Sequence, residues 1–201
     1  MQSSGHSKGC AMSTTEPPAP VSVRRPQRAD ARRNFDALLA AAREVFAQDG
    51  TGASLEEIAR RAGVGIGTLY RNFPTRRELF EAVYVDEVET LARAAEELTG
   101  LDPWEALVAW LHRFVGYATT KRAVYEALNR DSAIFASCRE IIHGAGRPLL
   151  ERAQETGKAR ADVSFEDVLR LVGGISGAAF VDDAQRDRVL AMALDGVKAQ
   201  G

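Results

Sequence analysis

A chain of 201 residues, 45% of them hydrophobic, can bury a core and has room for one or two domains. It lacks both the run of ~20 apolar residues that crosses a bilayer and the apolar core of a secretion signal, so a cytoplasmic, non-membrane protein is expected. The net charge of −2 is uneven: residues 1–85 hold 12 Lys+Arg against 9 Asp+Glu and the remainder 14 against 19, so a polyanion partner is expected at the front and not at the rear.

Residues 1–28 are rich in Ser, Thr, Pro and Gly and lack apolar periodicity, so a disordered tail is expected, with Met1 and Met12 both open as the natural start. Five arginines, Arg24, Arg25, Arg28, Arg32 and Arg33, crowd the entry to the first periodic segment. There Phe35, Leu38, Leu39, Ala42 and Phe46 form one helical stripe ending near Asp49-Gly50. Ser54-Leu55-Glu56-Glu57 reads as a capping box opening a two-turn helix that Gly63 stops. Ile66, Leu69, Tyr70 and Phe73 predict a third short helix closed by Pro74, and Thr75-Arg76-Arg77-Glu78 caps a fourth. Longer helices are expected to begin near Pro103, Lys121, Ser132, Ser164 and Asp183, with breaks at Gly100, Asn129 to Asp131, Gly157 to Asp162 and Asp182. Every periodic segment has the helical repeat, and the fold class is all-α.

Two short capped helices joined by a glycine turn make a helix-turn-helix over Ser54 to Phe73, a unit that lays its second helix in the major groove of duplex DNA. Ala59 is small enough for close helix approach, and Gly63 supplies the left-handed backbone of the bend. Leu69 and Phe73 anchor the third helix from behind, leaving Thr68, Tyr70, Arg71 and Asn72 for the groove. Gly65 and Gly67 keep the helix start clear for close approach to phosphates and base edges. Arginine can read guanine and asparagine adenine through paired hydrogen bonds, which singles out Arg71 and Asn72 for specificity. Tyr70 has two readings, core packing or phosphate contact. Arg32 and Arg33 are expected on the DNA backbone, Arg24, Arg25 and Arg28 either there or in a solvated tail, and Arg60 and Arg61 in solvent. Gly63-Val64-Gly65-Ile66-Gly67 is not a dinucleotide loop, because a capped helix rather than a strand precedes it.

The run from Ser54 through Arg76 resembles the DNA-binding motif of TetR-family transcriptional regulators, above all in Leu69-Tyr70-Arg71-Asn72-Phe73 followed by a capped basic helix. The resemblance covers roughly residues 32 to 85. It implies a homodimer with an N-terminal three-helix DNA-binding domain, here 29–88, and a C-terminal helical domain, here 89–201, that binds a small effector and dimerises. It puts Tyr70 and Arg76 on phosphates and Ser54 at the phosphate-facing start of its helix. Gly65, Gly67, Thr68, Arg71 and Asn72 would meet base edges. Many relatives carry His at Asn72 and Lys at Arg76, so those contacts keep their chemistry only approximately.

In the C-terminal half Trp104, Leu107, Leu111 and Phe114 share one helix face, and Trp110, Phe114 and Tyr117 an adjoining one. With Tyr125, Cys138 and Ile142 they either line an effector pocket or fill a core. Val172, Ile175 and Ala179, then Val189, Leu190 and Ala193, fit a four-helix dimer seam, the alternative being burial within one chain. Glu140 and His143 have the spacing of a metal pair but no second pair joins them, so no metal and no cofactor is expected. No triad, paired acids or cofactor loop marks an enzyme. The expected function is a ligand-responsive repressor of a palindromic operator. A DNA-binding co-regulator without an effector, and a helical enzyme, are the competing classes.

Overall fold

The computed structural model describes residues 22–127 and 133–199, with side chains for all of these except 51 and 119–133. Among them the order is α1 (Ala29–Asp49), a 3-10 turn (Gly50–Gly52), α2 (Leu55–Arg61), α3 (Ile66–Asn72), α4 (Arg76–Glu97), α5 (Pro103–Ala127), α6 (Ala133–Glu155), α7 (Phe165–Ser176) and α8 (Asp183–Asp195). No strand occurs among the described residues. Most of the tail, the break at Asn129 to Asp131 and the start at Ser132 lie outside them.

Local chemistry explains the boundaries of the first half. The stripe on α1 buries Phe35, Leu38, Leu39, Ala42 and Phe46, with Phe46 stacked on Phe80 of α4 at 3.9 Å and Phe35 against Phe73 at 4.9 Å. Gly63 has φ 68°, as the bend requires. Thr75 completes its box: its hydroxyl accepts from the Glu78 N–H, and the Glu78 carboxylate accepts from the Thr75 N–H. At Ser54 only half the expected box forms, because the hydroxyl accepts from the Glu57 N–H at 3.2 Å while the Glu57 carboxylate turns to Arg60 and Arg61.

One expected helix start is overturned. The helix placed at Lys121 is no separate element, for α5 runs unbroken from Pro103 to Ala127 with neither glycine nor proline near Lys121 to stop it. The boundary placed after residue 88 falls inside α4, which packs on α1 and also on α5 and α6. Its Leu91 carbonyl accepts from the Trp110 indole N–H at 3.0 Å, and its Tyr84 hydroxyl accepts from that of Tyr117 at 2.9 Å. α4 therefore contacts both halves, beside the direct contacts that α5 makes with α1 and with the 3-10 turn.

Candidate nucleic-acid interface

The two helices of the helix-turn-helix are held from beneath and open above. Leu55, Ile58 and Ala59 of α2 and Leu69 of α3 are buried, with Phe73 just past the end of α3. The Val64 N–H donates to the Ala59 carbonyl at 3.0 Å, which draws the turn tight. A carbon added at Gly65 or Gly67 would meet nothing within 4 Å, so the start of α3 faces open space.

On that open side Tyr70 is 46% exposed, so its ring lies outside the core. Arg71 is exposed and donates to the Thr68 hydroxyl at 2.9 Å, leaving most of its five N–H groups uncommitted to that bond. Asn72 is half-buried, and its amide donates to the Thr68 carbonyl at 2.8 Å. That bond takes one of the two amide hydrogens, and the other, with the side-chain oxygen, is what paired readout of adenine would use. Arg76 is half-buried, its guanidinium 5.4 Å from the centre of the Phe80 ring. Ser54 is exposed at the start of α2. Arg60 and Arg61 flank Glu57, whose carboxyl they hold down to about 2 by donating hydrogen bonds to it.

The arginines before and within α1 divide. Arg32 and Arg33 stay exposed, Arg33 pairing with Asp30. Arg25 is no solvated tail residue: it pairs with Asp36 at 2.9 Å, Glu89 at 3.3 Å and Asp86. Asp86 is only 6% exposed and also receives Arg43 at 2.7 Å. The arm thus turns back along α1 onto α4, over a cleft of about 620 Å³ lined in part by Arg25, Arg32, Arg43 and Arg93. These partners are remote in sequence, so periodicity could not reveal them.

Ile66 shares its helical spacing with Leu69, Tyr70 and Phe73, a pattern that does not say whether it is covered. It is 38% exposed at the first position of α3.

In the second half, Leu107, Trp110, Leu111, Phe114, Tyr117, Cys138 and Ile142 are buried and Trp104 half-buried. The Tyr125 side chain lies outside the described residues. Tyr117 and Phe114 rings meet at 5.5 Å, and Tyr84 of α4 joins them, 5.9 Å from Tyr117 and 5.2 Å from Phe135. His143 faces Glu166 at 3.3 Å rather than Glu140.

The expected dimer residues separate into two groups. Val172 and Leu190 are fully buried within the single chain and so belong to its core, not to a face open to a partner. Ile175, Val189 and Ala193 are half-buried, and Ala179 is exposed beyond the end of α7. The apolar side chains standing clear beside them are Leu171, Met192 and Val181, 41%, 66% and 89% exposed.

Comparison with known proteins agrees with this architecture. Residues 38–83 match the model for bacterial regulatory proteins of the tetR family, and residues 102–199 the C-terminal domain described as transcriptional regulator SbtR-like. A TetR transcriptional regulator from Streptomyces coelicolor is 40% identical over 83% of this chain and 99% of its own, with a TM-score of 0.74. A TetR regulatory protein from Mycobacterium vanbaalenii is 32% identical over 87% and 100%, at 0.69. RolR, solved in complex with its ligand resorcinol, is 26% identical over 86% and 92%, at 0.50. The chain therefore belongs to the TetR family of transcriptional regulators, and its helix-turn-helix is a DNA-binding unit.

Proposed function

We propose that this regulator is a homodimeric repressor that a small, largely aromatic molecule releases from a two-fold symmetric operator. The observation that carries the reading is the continuity of α4. One end bears the Thr75 cap and Arg76 beside the DNA-facing surface, and its middle is hydrogen-bonded to Tyr117 and Trp110 in the aromatic interior. A molecule inserted among Trp110, Phe114, Tyr117 and Ile142 would move α4, and with it the helix-turn-helix packed on α1. Release requires only that the effector bind the displaced arrangement more tightly than the DNA-bound one. The similarity to RolR, a protein that takes resorcinol, supports an aromatic effector. On DNA, Arg71 would read base edges, while Tyr70, Arg76, Arg32 and Arg33 would hold phosphates. The apolar side chains left open on α7 and α8 give a second copy its contact, fixing the spacing of two recognition helices.

The test is a set of small aromatic compounds scored twice, by thermal shift and by fluorescence anisotropy of a bound operator duplex. The expected hit raises the melting temperature, since a ligand at 100 times its Kd adds about 2.7 kcal/mol, and lowers DNA affinity. Hits that stabilise the protein yet leave DNA affinity unchanged would contradict effector release.

A further inference from the structure

Among the described residues, six large apolar side chains stand exposed, and only Ile66 and Tyr70 belong to the DNA-binding half. They are four residues apart on the seven-residue α3 and so project from one side of it. Tyr70 carries a hydroxyl that can serve a phosphate. Ile66 has no polar group at all. The glycines flanking it, Gly65 and Gly67, leave open space around it, so it is the bulkiest group at the end of α3 that leads into the groove. The most prominent apolar feature of the major groove is the 5-methyl group of thymine, which stands out where cytosine carries only a C–H.

We infer that Ile66 is a specificity-determining residue that reads a thymine methyl group in each half of the operator. The inference rests on α3 being the helix that enters the groove. Removing the thymine methyl takes an apolar contact away from Ile66 while leaving every hydrogen-bonding group in place, and uracil does just that.

The experiment takes an operator recovered by selection from random duplexes and replaces its thymines one at a time by deoxyuridine. Affinity is read by anisotropy for the wild type and for Ile66→Ala, with Ile66→Thr as a second variant that keeps the β-branch. The wild type should lose about 3- to 10-fold at one thymine per half-site, the effect of stripping one methyl from a packed contact. Ile66→Ala should bind the thymine and uracil operators equally, the non-additivity expected of two groups in contact. A wild type indifferent to uracil at every position overturns the inference without recourse to any variant, as does an Ile66→Ala protein that still discriminates. If selection enriches no sequence, the reading of α3 itself fails, a different outcome from enrichment without uracil sensitivity.

Discussion

Gly146 shows how much a single hydrogen can decide. A carbon at this position in α6 would lie 2.3 Å from the Phe165 ring and 2.6 Å from that of Trp110. Those rings cannot retreat, being 5% and 0% exposed and in contact with one another at 5.8 Å. Gly146→Ala gains about 1 kcal/mol of helix propensity and loses about 1–3 kcal/mol to overpacking. We expect a net destabilisation of up to about 2 kcal/mol, measured as a lower urea midpoint; a stabilised variant would mean that the α5–α6–α7 contact yields more readily than described.

Glu57 gives a pH-dependent counterpart. Its carboxyl sits at about 2 in the folded chain against an ordinary 4.5, because Arg60 and Arg61 donate to it. A depressed carboxyl adds stability that is fully present above its unfolded value and is lost as pH falls through the folded one. Glu57→Gln should therefore be less stable than wild type at neutral pH, with the gap narrowing as pH drops from about 4.5 towards 2. Urea titrations along that series would show it, and a gap constant with pH would remove the carboxylate from the account. Residue by residue, exposure on α3 is legible where it follows from position, as at Tyr70 and Arg71. It was not legible at Asn72, whose amide bonds its own helix, or at Ile66, whose burial depends on what else packs over a two-turn helix.

At the scale of elements, the helix limits were written in caps and breakers: Ser54, Gly63, Pro74, Thr75, Ser164 and Asp182 all mark a start or a stop. Such signals are local, which is why sequence carries them. Continuity is harder to read, because a helix that continues through Lys121 leaves no sign beyond the absence of a breaker. The arm is harder still, since Arg25 finds Asp86 and Glu89 more than sixty residues away. Among the caps, that of α4 has the most to hold, since it opens the helix linking DNA surface to aromatic interior. Thr75→Ala removes the acceptor for the Glu78 N–H and should cost about 1 kcal/mol. Hydrogen exchange should place that loss in the first turn of α4, and protection unchanged there would show that packing of Leu79 and Phe80 alone holds the turn.

For the whole molecule, fold and partner class were legible because both live in the first half, where motif, glycine turn and charge balance agree. The apolar surface of α7 and α8 was legible only in outline. The small and apolar residues of α7 and α8 were expected at a dimer seam, yet Val172 and Leu190 turn inward while Leu171 and Met192 turn out. Periodicity gives the width of an apolar stripe, and only tertiary packing decides which edge of it stays uncovered. The central claim joins the two ends of the chain: exposed α3 reads sequence, and the α7–α8 face pairs two copies so that it reads twice. Selection of bound duplexes from random DNA at moderate salt tests this most directly. The account predicts an enriched motif of two inverted half-sites whose preference at one position changes with Arg71→Ala, while Arg76→Ala weakens all sites alike. Failure to enrich any sequence, or a single unpaired half-site, would contradict it.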